Sequence, residues 1–362
     1  MDSKIYQQAI NVYKALSRRH VFDPRQVKIE ATKVCNLTCA GCRRNFADSI
    51  ANVPGPKHLT VDVLKTIIEG TKIKVVRFAG DGEPLCNPHL EHILEYLHSV
   101  KVKWAITTNG TLVDERWVRL AKRSGAIRVS ISFDGVEKAT FEKLRGGANY
   151  EQVLEVCKII SRNGVPLFMN CLLSTDEVIE QLPGYIQLAK SVGATGVHLM
   201  KYQSQDNTLW TPPNWSKHAG MLERITKEAR KAGLVLSAPS YNTCPTFREC
   251  EDPYIAPWVA LTGEVFPCVY MANMREYEIY EEQKISVPWR NYVMGNINET
   301  PIRGIWRKEA YAELRTVLKQ TSRKAGYQTG PSTLLLMKRA FKGNERFGYC
   351  FACPCRWGES GI

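Results

Sequence analysis

Between residues 26 and 201 two hydrophobic rhythms take turns along the chain. Short runs rich in β-branched and aromatic residues occur at 26–31, 75–79, 104–108, 127–133, 167–173 and 196–200. Between them, apolar positions recur at helical spacing over 61–70, 87–99, 115–124, 150–163 and 179–192. Strand–helix repetition of this kind predicts parallel βα units, and six strands predict a curved sheet or partial barrel. Ahead of them, Ile5, Ala9, Val12 and Leu16 lie at helical spacing with Pro24 beyond, so residues 1–25 are expected to hold an N-terminal helix. The rhythm fades after Asp206. Pro212-Pro213 interrupts the chain, a helix is expected over 216–232, and a small hairpin over 263–268. The domains expected are therefore an N-terminal helix (1–25), a βα barrel (26–235) and a smaller C-terminal unit (236–362).

No apolar stretch approaches the roughly 20 residues that cross a bilayer, and the first residues lack the apolar core of a signal peptide. A cytoplasmic protein without a membrane partner is the expectation. The net charge is +13 and unevenly spread: residues 301–350 carry eleven Lys or Arg against three Glu. A solvated basic face accounts for this, as would attraction of an anionic substrate, an acidic peptide or an acidic redox partner. Nothing else in the sequence suggests a nucleic-acid module, and no nucleic acid is expected as partner.

The 12 cysteines narrow the chemistry. In a reducing compartment, tight Cys groups favour metal ligation over disulfides. Cys35, Cys39 and Cys42 follow the first predicted strand at spacings of three residues and then two, too close for independent core thiols. Three thiolates leave one iron of a [4Fe–4S] cubane without a protein ligand; zinc with a fourth ligand elsewhere, or chance spacing, are the alternatives. Ligands of parallel α/β sheets gather at the carboxyl ends of the strands, where this loop lies. The second strand ends in Gly80-Asp81-Gly82-Glu83-Pro84, the third in Thr107-Thr108-Asn109-Gly110, and the fourth in Ser130-Ile131-Ser132-Phe133-Asp134-Gly135. Each is also ordinary turn chemistry.

Together these motifs resemble the radical S-adenosylmethionine (SAM) enzymes. The resemblance implies a partial (β/α)6 barrel and a [4Fe–4S] cluster on Cys35, Cys39 and Cys42. The open iron of that cluster chelates SAM, and one electron cleaves SAM to methionine and a hydrogen-abstracting 5′-deoxyadenosyl radical. Gly80, Asp81, Gly82 and Glu83 match the family's Gly-Gly-Glu-Pro element, which holds the SAM amino group, although Asp81 stands where a glycine is usual. Asn109 matches the Thr-Asn-Gly element. Ser132 and then Asp134 are assigned to the SAM ribose or carboxylate, and Asn170 also points to the barrel interior. Gly41 stands where many members place an adenine-contacting aromatic, so that contact is assigned to 199–202. A flavodoxin or ferredoxin-type electron donor is implied.

Six further cysteines fall in the C-terminal part: Cys244, Cys250, Cys268, Cys350, Cys353 and Cys355. Their order, with Gly263–Cys268, Gly295-Asn296-Ile297, Ile305-Trp306 and an Arg315-bearing helix, resembles the SPASM or twitch extension, which carries auxiliary [4Fe–4S] clusters. Six cysteines suit one auxiliary cluster, on Cys250, Cys268, Cys350 and Cys353, with Cys244 or Cys355 as substitutes and zinc as the alternative. Cys86, Cys157 and Cys171 stand singly and are read as buried structural thiols; His89 and His198 are read as structural.

The function expected is hydrogen abstraction from a small polar or anionic substrate, such as a sugar, aminocyclitol or nucleoside intermediate, giving oxidation, epimerisation or elimination. About 25 residues before the first strand leave too little chain for a leader-binding domain, which sets a ribosomally made peptide second. A non-enzymatic metal scaffold is the remaining alternative. It leaves the Gly80–Pro84 loop unexplained.

Overall fold

The computed structural model describes residues 23–39, 41–45, 49–201, 213–238, 252–273, 276–279, 283–286 and 289–324. The predicted N-terminal helix, Cys244, Cys250, Cys350, Cys353 and Cys355 lie outside them.

Six parallel strands form the barrel wall: β1 Gln26–Ile29, β2 Val75–Phe78, β3 Lys103–Thr108, β4 Ala126–Ser132, β5 Leu167–Leu173 and β6 Gly196–Lys201. They pair in chain order, and β7 (Val235–Ser237) adds to β6 in parallel. Val27, Ile29, Val76, Trp104, Val129, Ile131 and Met169 are fully or almost fully buried on the helix-facing side. Their polar neighbours turn to the lumen, the alternation that the side-chain period of two imposes. The helices start where the chain supplies caps. Thr60, Asp114, Asn149 and Thr175 each accept a hydrogen bond from a backbone N–H of the first turn. Gly125, at φ +92°, closes the helix Glu115–Ser124 in a conformation only glycine adopts without cost.

Two helical regions differ from the expectation. The span 179–192 is two helices, Asp176–Glu180 and Leu182–Ser191, because Thr175 caps an earlier start and Pro183 opens a new first turn. A helix at Lys138–Leu144 has no counterpart in the sequence reading. Its seven residues are too few for periodicity to register, yet Thr140, Phe141 and Leu144 are buried.

The smaller unit is joined to the barrel by backbone pairing. The strand β8 (Trp258–Val259) runs parallel to β1, with Lys28 opposite Trp258. β9 (Glu264–Phe266) returns antiparallel to β8, so the hairpin starts ahead of the predicted 263–268, which holds only its second strand, and β12 (Gly295–Asn296) pairs beside it. β10 (Glu276–Ile279) and β11 (Gln283–Ser286) form a separate ribbon. Across the junction the Lys28 Nζ–Asp252 ion pair closes at 2.7 Å, and Trp258 Nε1 donates to Ala79 O at 2.9 Å. Behind the hairpin, the helix Glu309–Lys324 presents Arg315, which is 2% exposed. Arg315 Nε donates to Pro253 O at 2.7 Å and Nη1 to Trp306 O at 3.3 Å, while the guanidinium stacks 4.2 Å over the Trp306 ring. No helix among the described residues is long and apolar enough to cross a membrane.

Replacing Arg315 by Met strands buried carbonyls, each costing about 1–3 kcal/mol. Arg315→Met is therefore expected to lower the urea midpoint of the holoprotein, and Arg315→Lys to rescue it only in part, because one ammonium cannot reproduce the planar fork.

Candidate active site

The carboxyl ends of β1 to β5 converge on one edge, and backbone contacts there are close. Cys35, Cys39 and Cys42 occupy the loop after β1, half-buried and without disulfides. The loop is wound by its own amides: Cys42 N donates to Cys39 O at 3.1 Å, and Asn45 N to Cys42 O at 3.0 Å. Leu37 N points to Cys35 Sγ at 3.5 Å, and Thr38 N donates to Gly146 O at 3.0 Å. No three of the described His, Cys, Asp or Glu side chains converge on a point that one ion would fill.

The segment after β2 lies directly against this loop. A Cβ on Gly82 would stand 2.0 Å from Thr32 O and 2.8 Å from Val34 O, so no other residue fits. Glu83 N donates to Val34 O at 2.8 Å. The Glu83 side chain, 3% exposed, turns inward rather than toward the edge. Its carboxylate accepts from Thr108 Oγ1 at 2.6 Å, Asn109 N at 2.7 Å and Leu85 N at 3.1 Å. Burial raises its pKa and these bonds oppose the rise. What this segment offers a ligand is mainly backbone.

The other predicted residues gather around the same edge. Asn109 Nδ2 donates to Asn36 Oδ1 at 3.0 Å and lies 4.0 Å from Cys35 Sγ. Ser132 ends β4 in register with Asn170 on β5. Asp134, 4% exposed, accepts from Leu172 N at 2.7 Å and pairs with Arg145 Nε at 2.6 Å. The Arg145 guanidinium also lies close to Cys39, whose thiol pKa is raised by burial and drawn back by that charge. Burial likewise raises Cys42. Cys268 lies away from the edge, buried directly after β9 near Lys28.

Several residues here escaped the sequence reading. Glu30, fully buried, stands under Gly80 and Asp81; the Asp81 amide points to its Oε1 at 3.4 Å, and Oε2 has no partner among the described residues. Burial, then the neighbouring Asp81, lifts the Glu30 pKa to about 8. Asp81 meets Arg43 Nη2 at 3.3 Å through Oδ1, while its Oδ2 is buried without a partner among the described residues, as is Asn170 Oδ1. The polar alternation of Lys28 and Glu30 was a legible signal for Glu30; nothing local marked Arg145. Cys86, read as a buried structural thiol, is half-exposed beside the loop, its Sγ 3.9 Å from Asn36 Oδ1, because it closes a one-turn helix that Glu83 caps. Cys157 and Cys171 are fully buried as expected.

This edge suits a cluster with a cationic ligand. Three half-buried free thiols lie in the one loop beside it, Gly82 lets backbone approach closely, and buried acceptors without a partner among the described residues on Glu30, Asp81 and Asn170 suit an ammonium or sulfonium.

Two predictions follow from this geometry. Gly82→Ala is expected to abolish cluster reconstitution, read as loss of the iron–sulfur visible absorption, because its Cβ displaces the cysteine loop. Glu30 ionises more easily unfolded than folded, so its neutral form stabilises the protein fully below the unfolded pKa, and that contribution disappears as pH rises through about 8. Thermal melts should therefore show Glu30→Gln gaining on the parent between pH 5 and pH 9, with the gap levelling above that.

The sequence comparisons agree with the geometry. Residues 29–189 match the model of the radical SAM superfamily, and residues 250–329 that of the SPASM iron–sulfur cluster-binding domain. An AdoMet-dependent heme synthase of Methanosarcina barkeri is 25% identical over 320 residues, 81% of this chain and 85% of its own length. A tungsten-containing aldehyde ferredoxin oxidoreductase cofactor-modifying protein of Pyrococcus furiosus is 25% identical over 305 residues, 80% of this chain and 83% of its own. Among solved structures, Streptococcus suis SuiB bound to S-adenosylmethionine superposes with a TM-score of 0.64 at 16% identity, covering 88% of this chain and 74% of that one. SuiB bound to its precursor peptide SuiA gives 0.63 at 15%, covering 87% and 72%. The chain is a radical SAM protein with a C-terminal SPASM domain, and its cofactors are SAM, a SAM-binding [4Fe–4S] cluster and an auxiliary cluster.

Proposed function

We propose that this protein abstracts hydrogen from a small polar or anionic metabolite, such as a sugar, aminocyclitol or nucleoside intermediate. The observation that carries the reading is Gly82 seated on the Thr32 and Val34 carbonyls, because it brings the cysteine loop and the Gly80–Glu83 backbone to one edge. When bound there, the cluster and SAM supply reductive cleavage to methionine and a 5′-deoxyadenosyl radical.

The chain's own residues divide the remaining work. Cys35, Cys39 and Cys42 hold the cluster. Arg145, held by Asp134, lies beside Cys39 and moderates the charge on that sulfur. Backbone of Gly80–Gly82, with the acidic oxygens of Asp81 and Glu30, receives the SAM ammonium. Asn109, Ser132 and Asn170 line the route inward. Cys250, Cys268, Cys350 and Cys353 hold the auxiliary cluster, within a barrel of 26–235 and an accessory unit of 236–362. Oxidation, epimerisation and elimination are all compatible with this machinery, and the electron comes from a flavodoxin or ferredoxin-type donor in the cytoplasm.

Support for a small substrate comes from a lumen lined by polar side chains, and from the names of two relatives, which speak of heme and of an oxidoreductase cofactor. A peptide substrate is the second reading, favoured by the peptide bound to SuiB, although that likeness extends to the fold alone.

Anaerobically reconstituted protein given dithionite and SAM is expected to release methionine and 5′-deoxyadenosine, and Cys39→Ala to release neither. Zinc in the purified protein with no SAM cleavage would sink the proposal. Deuterium passing from a labelled small substrate, and not from a peptide, into deoxyadenosine would decide between the two substrate classes.

A further inference from the structure

One row of side chains on the lumen face bears more positive charge than the proposed chemistry uses. The ladder places Lys28 opposite Arg77, Arg77 opposite Ala105, and Ala105 opposite Arg128, so three cations from four adjacent strands share a rung. Their neighbours in sequence, Val27, Val76 and Val129, are fully buried on the opposite, helix-facing side. The rung faces the lumen.

Arg128 is the informative member. It is 9% exposed, and its guanidinium lies 3.9 Å over the Phe168 ring. Its Nε donates to Ser130 Oγ at 2.7 Å, and neither terminal nitrogen has a partner among the described residues. A buried guanidinium normally meets a carboxylate or phosphate through that fork. None among the described residues reaches it. Lys28 is paired with Asp252, and Arg77 Nε donates to Gln26 Oε1 at 2.8 Å. The same charges weigh on His198 across the lumen, whose pKa burial and then Arg128 and Lys28 depress to about 3. A guanidinium so buried, with no anion on its fork among the described residues, is costly unless one enters.

We propose that Arg128, with Arg77 and Lys28 beside it, forms a subsite for the anionic group of the substrate, a phosphate or a carboxylate. Four residues, roughly 13 Å of strand, separate Arg128 from Ser132 at the cysteine edge. The substrate therefore has two ends. One reaches the edge where hydrogen is abstracted, and a charged one anchors deeper in the barrel, on the side of Cys268. Phe168 stacks on the guanidinium and holds its plane, leaving the terminal nitrogens aimed at the ligand.

The inference rests on reading the lumen as the substrate cavity of a radical SAM enzyme, and methionine release by the parent protein tests that reading separately. Calorimetry of the reconstituted full-length protein with pyrophosphate and, in parallel, citrate tests the subsite itself. The parent should bind one of them at one site per chain, pyrophosphate marking a phosphorylated substrate and citrate a carboxylate one. Loss of a charge-assisted fork weakens binding on the order of tenfold or more in Arg128→Gln. Arg128→Lys should recover part of it, and Lys122→Gln, on an exposed helix, should bind as the parent does. Should Arg128→Gln fail to fold, Arg77→Gln takes its place and should weaken the same binding. Equal affinity in parent and lumen variants, or no binding of either anion by a protein that cleaves SAM, overturns the subsite and leaves the radical chemistry standing.

Discussion

One buried carboxylate holds the working edge of this protein together. The backbone of Glu83 reaches back to the cysteine loop through Val34 O, while its side chain takes Thr108 Oγ1, the Asn109 amide and the Leu85 amide. Three segments that are distant in sequence thereby share one residue. Such a group is costly to bury, and three donors offset the cost by satisfying its oxygens where water cannot. With Glu83 so committed, the contribution of its loop to a ligand comes from glycine and backbone. The loop therefore depends equally on Gly82, whose missing Cβ is what lets it lie on the carbonyls of Thr32 and Val34.

The edge is built in layers of charge. Below the cysteines lie acceptor oxygens on Glu30, Asp81 and Asn170, arranged where a cationic cofactor would meet them. Deeper in the lumen the side chains become cationic, with Lys28, Arg77 and Arg128 in one rung. Arg145 belongs to the edge, tied to Asp134 and close to Cys39. A gradient of this kind orients a ligand without requiring many contacts, because each end is attracted to a different depth.

Much of this was legible from local pattern. The six wall strands appear within about two residues of their expected bounds, since buried β-branched runs flanked by capped helices leave little ambiguity. The cysteine loop and the three strand-end motifs are local in sequence and fell to one edge because parallel βα units put them there. What stayed hidden depends on distance. Arg145 meets Cys39 across more than one hundred residues, and the rung of cations exists only through register, which no single strand reveals. The pairing of β8 with β1 is likewise long-range, and two residues of strand give periodicity nothing to measure. Cys86 was misread because its surroundings were judged by hydrophobicity, whereas its position follows from the turn that Glu83 caps.

That β8–β1 junction has a consequence for electron flow. The hairpin ending at Cys268 is hydrogen-bonded into the same sheet that delivers Cys35, and an ion pair and an indole bond clamp the seam. With Cys35 and Cys268 as ligands of the two clusters, as proposed, one continuous sheet would set the distance between the centres and so the length of the tunnelling path.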